Sequence, residues 1–237
     1  FGFVVLAGDF ELVKQTLDIN DGKLDEFNAD ALSLSLTNLG VFVGVGGQLD
    51  NDSLSTTDVT DPAGTDAVGF YIPSGASLDL VILQDTTDKA KKYTGLQASV
   101  TNAGLVGIDD LELTVTGDVQ VNRGPAGGDR LDWSEVTGSS NELPGVTLTM
   151  DDDVELEVNG SAALDAFGFV VLTVPSFELE KRTDVAIDDG AAGPVEPFTA
   201  DVLTVKMTAG GFVGVGGSLS AANDSTATLV TTAANGE

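Results

Sequence analysis

Phe1-Gly2-Phe3-Val4-Val5-Leu6 returns unchanged as Phe167-Gly168-Phe169-Val170-Val171-Leu172. Phe42-Val43-Gly44-Val45-Gly46-Gly47 returns as Phe212-Val213-Gly214-Val215-Gly216-Gly217. Two hexamers recurring in the same order are the mark of a tandem repeat. The match extends beyond them: Phe10-Glu11-Leu12 corresponds to Phe177-Glu178-Leu179, and Lys14 and Thr16 to Lys181 and Thr183. Residues 1–166 therefore read as a first unit and 167–237 as part of a second, a window cut from a longer array.

Between these markers the period is two. Leu32, Leu34 and Leu36 alternate with Ala31, Ser33 and Ser35. Leu111, Leu113 and Val115 lead through Gly117 to Val119 and Val121, and Val154, Leu156 and Val158 lead through Gly160 to Ala162 and Leu164. Leu203, Val205 and Met207 repeat the pattern. Strict alternation sends one row of side chains into a core and the other into water. A glycine at a fixed place in a long strand marks a bend or bulge. Leu36-Thr37-Asn38 before Gly40 resembles Val100-Thr101-Asn102 before Gly104, a weaker similarity inside one unit. No stretch has a helical period, and Asp88 to Tyr93 reads as an exposed loop.

Ten basic residues stand against 38 acidic ones, a formal charge of −28. That surface repels nucleic acid and anionic membranes and suits divalent cations. With 42% hydrophobic residues the chain can bury a core and is not disordered on composition. It has neither Cys nor His, which removes thiolate and imidazole metal sites and His-based triads. No apolar run is long enough for a membrane-spanning helix.

Acidic loops at 18–30, 49–67, 84–93, 122–144 and 184–201 join the strands. Asp18, Asn20 and Asp21 before Gly22 resemble a calcium loop, with oxygen ligands at alternate places and a glycine for the turn. The spacing departs from the EF-hand, and an Asp-Gly turn needs no metal. Asp50, Asn51 and Asp52 follow the first glycine hexamer; Asn223 and Asp224 follow the second. Oxygen ligands recurring after the same strand make this the second candidate for calcium. Asp151-Asp152-Asp153 reads as a solvated strand end. Phe-Val-Gly-Val-Gly-Gly lacks the Lys-Ser/Thr of a phosphate loop and reads as small residues where chain segments approach closely. Trp133, the only Trp, is expected to pin the 122–144 loop to the framework. No pair of carboxylates stands out as catalytic, so no enzyme is expected.

The order of strand, Asp-Gly loop, alternating strand, glycine hexamer and acidic loop resembles the tandem units of very large bacterial surface or secreted proteins, adhesin-like or fibre-forming. The resemblance covers the whole window and implies an extracellular or cell-surface place. It further implies neighbouring copies as partners, and often calcium. The Gly-Gly-x-Gly-x-Asp series of the RTX subgroup is absent. Alternation broken by glycines also resembles the strands of bridge-like lipid carriers.

The expected fold is all-β and elongated, a β-solenoid-like stack of long strands bent at glycines; the alternative is tandem antiparallel β-sandwich modules. The expected function is a structural segment of an extracellular repeat protein: a filament, stalk or adhesin spacer. The alternatives are a cation-linked module for carbohydrate and a lipid-groove β protein.

Overall fold

The computed structural model describes residues 4–47, 49–50, 58–59, 67–138, 143, 145–188 and 198–231. Eight long strands carry the fold: β1 (Val4–Ile19), β2 (Phe27–Val45), β5 (Val68–Asp85), β6 (Lys92–Val106), β7 (Leu111–Arg123), β8 (Val154–Ala166), β9 (Val170–Ile187) and β10 (Phe198–Val213). They form one sheet in the order β1-β2-β5-β6-β7-β8-β9-β10, every neighbour antiparallel. Two short hairpins, β3 (Leu49–Asp50) with β4 (Asp58–Val59) and β11 (Gly217–Leu219) with β12 (Leu229–Thr231), lie outside it.

The all-β expectation holds. The β-solenoid does not: chain-adjacent long strands pair antiparallel in a meander, whereas a solenoid stacks coils. The sandwich alternative has the strand sense right. The long strands nevertheless contact their sheet neighbours and the small hairpins, and among the described residues no second large sheet stacks upon them.

Residues 124–153, between β7 and β8, hold a short helix, α1 (Trp133–Gly138), which the sequence pattern did not suggest. At 13 to 19 residues, the long strands greatly exceed the usual five or six. A line of irregularities crosses them. Register shifts fall between Ala7 and Asp9, Leu36 and Leu39, Tyr71 and Ser77, and Val100 and Ala103. Gly117 then pairs with Gly160, and β9 and β10 shift between Thr208 and Gly210. Asn38 and Asn102 sit in the left-handed region at φ 51 and 52, each as the extra residue of a bulge. The similarity of Leu36-Thr37-Asn38 to Val100-Thr101-Asn102 thus has a backbone cause.

The two faces of the sheet differ. One bears every excursion and the buried clusters. Leu131, Trp133, Val136, Leu143, Val146, Leu148 and Met150 from the 124–153 segment pack onto Ile19, Ala29, Ala31, Val81, Leu83 and Tyr93. At the other end Ala67 joins Phe42 and Ala7. The opposite face carries the alternating leucines and valines. Alternation therefore sorts the residues contrary to expectation on β2. Ala29, Ala31, Ser33 and Ser35 are buried, whereas Leu32 is 37% exposed. Small residues leave room for a layer that brings its own large side chains. Gly95 shows this directly: a Cβ there would lie 2.5 Å from Leu148 and 2.8 Å from Trp133.

Candidate functional site

The apolar face is the most unusual surface of the molecule. Phe10, Leu36, Leu78, Ala98, Val119, Val158, Leu179 and Val205 pair in sequence across all eight strands, one apolar residue from each. Next to that row run Leu12, Leu34, Leu80, Leu96, Val121, Leu156, Lys181 and Leu203. The central members are half-buried by their neighbours. The outer members are open: Phe10 is 67% exposed and Leu203 62%. Contiguous apolar patches beyond a few hundred Å² mark interaction sites in soluble proteins. Two rows across eight strands about 4.8 Å apart span roughly 35 Å. At the end of this face Lys14 registers with Leu32, Lys92 with Gln84, and Arg123 with Thr94. A strongly acidic chain thus sets several of its few cations beside its apolar surface.

The covered face owes its order to a small polar core. Asn122 is fully buried; its Nδ2 donates to the carbonyls of Leu131 (2.8 Å) and Asp151 (2.9 Å), and its Oδ1 accepts from Trp133 Nε1 at 2.9 Å. One β7 side chain therefore ties both ends of the 124–153 segment to the sheet. Trp133 does pin this segment, as expected from sequence. Thr149 reaches Gln97 and Gln120, extending the attachment across β6 and β7.

Asp18 ends β1 beside Ile19, and Asn20 and Asp21 form the turn that follows. Asp21 is buried and accepts from the backbone N–H of Lys23 (3.1 Å), Leu24 (2.8 Å) and Asp132 (3.1 Å). Asn20 Oδ1 accepts from Gly22 N at 2.8 Å. The loop is an Asx-type turn, and Lys23 within it pairs with carboxylates outside it. Lys23 Nζ lies 3.1 Å from Asp132 and also pairs with Asp152, and these partners, Asp152 foremost, raise its pKa. Burial pushes the Asp132 carboxyl up, but the Ser134 hydroxyl and Lys23 outweigh it and hold Asp132 below the usual carboxylate range. Asp132 also caps the start of α1, its Oδ1 accepting from Glu135 N at 3.4 Å and from Ser134 Oγ at 2.6 Å.

In the second candidate, Asp50 falls in β3, and Asn51 and Asp52 lie outside the described residues. Asn223 has φ 56 and its backbone N–H donates to Glu112. Asp224 Oδ1 accepts from Thr226 N (2.8 Å) and Oγ1 (2.6 Å), which lower its pKa. Ser225 bonds Ser161 of β8 at 2.7 Å. This loop docks on the sheet as a turn. Among the described residues no three carboxylates converge as a metal cluster. Asp151 Oδ1 accepts from Asp153 N and Val154 N, so the acidic run is a strand-opening turn.

A depression between β7, β8 and β11 is lined by Asp110, Glu112 and Asp165. Glu112 is held by Asn223, and Asp165 accepts from Gly168 N at 2.9 Å in the β8–β9 turn. The Glu112 and Asp165 carboxylates thus serve backbone donors.

Sequence reasoning missed the apolar face, which has no covering layer among the described residues. The signal was present in the small residues Ala29, Ala31, Ser33 and Ser35, opposite in phase to the leucines. Comparison with known protein families, characterised proteins and solved structures finds no match, so the functional reading rests on this geometry.

Proposed function

We propose that this chain is a structural segment of an extracellular repeat protein, a filament, stalk or adhesin spacer that grows by lateral extension of one sheet. The observation that carries this reading is the shared register of two hairpins. Leu12 pairs with Leu34 and Phe42 with Val5 in β1–β2; Leu179 pairs with Val205 and Phe212 with Val171 in β9–β10. Equivalent residues thus meet equivalent residues at two places on one continuous sheet, the geometry that lets units follow one another. The surface charge of −28 opposes sideways clumping of such material. Electron microscopy of the native material tests the proposal. Thin filaments with a regular axial repeat are expected; isolated round particles would overturn it.

A second reading, a lipid-groove β protein, is favoured by apolar rows that have no covering layer among the described residues and by the basic residues Lys14, Lys92 and Arg123 at one end of them. Acyl chains would lie on the rows, and anionic head groups would meet the cations. Mass spectrometry of organic extracts from the purified protein decides it: stoichiometric co-purifying lipid supports this reading, and lipid-free protein removes it.

A further inference from the structure

We infer that the outer edge of β1, from Val4 to Lys14, is a docking site for one particular kind of strand, with the sequence of β8, in the register that β8 adopts on β9. β1 ends the eight-stranded sheet, and among the described residues no strand hydrogen-bonds to its outer edge. β9 is its counterpart, and the corresponding edge of β9 is filled. There Val170 pairs with Ala166, Leu172 with Leu164, Phe177 with Gly160, Leu179 with Val158 and Lys181 with Leu156. Lys181 also holds Glu155 at 2.7 Å. Each of those β9 residues recurs in β1 with the same identity, as Val4, Leu6, Phe10, Leu12 and Lys14; β1 lacks only the extra residue that β9 bulges out between Val174 and Phe177, so the same pairs can form on it without a bulge. An edge strand exposes a row of unpaired N–H and C=O groups and is a ready template for pairing. Register is set by which residues meet on each face, so the same face sequence selects the same partner.

The connection supplies a second, independent observation. β8 passes to β9 through Phe167 and Gly168, at φ 60 and 64, with Phe169 N donating to Ala166 O at 3.0 Å. Ala166–Phe169 is thus a β-turn with both central residues left-handed, the geometry that suits adjacent antiparallel strands. Phenylalanine rarely adopts it. Phe1-Gly2-Phe3 repeats these residues ahead of β1. The residues ahead of β1 thus have the sequence of those that join β8 to β9. The occupant is a strand from a further copy of the unit, and the inference rests on the proposed function only in that respect.

The test extends the full chain. A copy of residues 154–166 is joined ahead of Phe1, which regenerates the Ala-Phe-Gly-Phe junction; the control carries the same thirteen residues shuffled. Amide exchange across Val4–Lys14 is expected to slow by at least about tenfold with the true copy alone. Because the protein has no Cys, register can be trapped. A Leu12→Cys variant is expected to form a disulfide with a cysteine placed at the copy of Val158, and not with one at the copy of Asn159, which points to the other face. Equal protection by the shuffled extension, unchanged exchange, or cross-linking in the displaced register would each overturn the inference. Because these readouts use single chains, they are independent of the micrographs. Filaments with an unprotected β1 would sink this inference alone, and a trapped strand without filaments would sink the filament reading alone.

Discussion

The β1–β2 and β9–β10 hairpins share sequence motifs and the pairs those motifs make, although the bulge lies in β2 in one and in β9 in the other, yet their burial differs. Phe42 is fully buried, while its counterpart Phe212 is half-buried. Leu32 is 37% exposed and its counterpart Leu203 62%. The local device within each hairpin is the same: a Cβ on Gly47 would lie 2.1 Å from the Phe42 ring, and one on Gly217 2.2 Å from the Phe212 ring. The last glycine of the hexamer is a bare platform for its first residue. What differs is the surroundings. β2 is flanked by β5, and Ala7 and Ala67 close over Phe42, whereas β10 is the last strand of the sheet. Identical segments specify identical pairing; their burial is conferred by neighbours.

The comparison breaks most visibly at Trp133. Trp133→Ala removes the centre of the layer over the first hairpin and is expected to cost about 3–5 kcal/mol in urea unfolding. Amide exchange should accelerate in β1–β2 and stay unchanged in β9–β10; equal acceleration in both would break the distinction. Phe42→Ala is expected to cost about 3 kcal/mol and Phe212→Ala about half as much, since less area leaves water at the second site. Equal losses in parallel unfolding curves would show that exposure does not separate the copies.

Acid provides a smaller lever. The folded-state pKa of Asp132 is depressed, so its contribution is fully present above its unfolded value of about 3.9 and fades as pH falls through the folded value. Melting midpoints should therefore drop below about pH 4, with early loss of Trp133 burial read by fluorescence. Asp132→Asn should flatten part of that drop; an unchanged profile would remove Asp132 from the acid response. Calcium is the smallest lever. A small rise in melting midpoint over chelator at matched ionic strength is expected from counterion binding to the polyanion. The rise should survive Asp224→Asn, because Thr226 already occupies Oδ1. Its disappearance in that variant would instead place a calcium site in the Asn223–Asp224 loop.

Much of the fold was legible from residues. The period-two runs became strands, Gly117 and Gly160 fell on the line of irregularities, and Trp133 fastened its loop. The β-solenoid was misread because alternation reports which residues share a face and is silent about whether the next strand runs back or forward. The covered side was misread for a related reason. Leu34 and Ser33 declare opposite faces, but only the roof supplied by Leu148, Met150 and Trp133, far away in sequence, decides which face is dry. The turn at Asn20–Asp21 resembles a calcium loop because backbone donors and cations draw on the same carboxylate oxygens. The identity of the third donor, Asp132 N, is a tertiary fact.

The meander topology has a mechanical corollary. When consecutive strands lie side by side, a pull on the two ends of the chain is directed across the ladder and loads its hydrogen bonds one pair at a time. Such a sheet yields like a zip, hairpin after hairpin, at low force. Each freed residue adds up to about 3.5 Å of length. A tether made this way would dissipate a sudden tug by lengthening in small steps, and could take up slack again by re-forming neighbouring pairs in order.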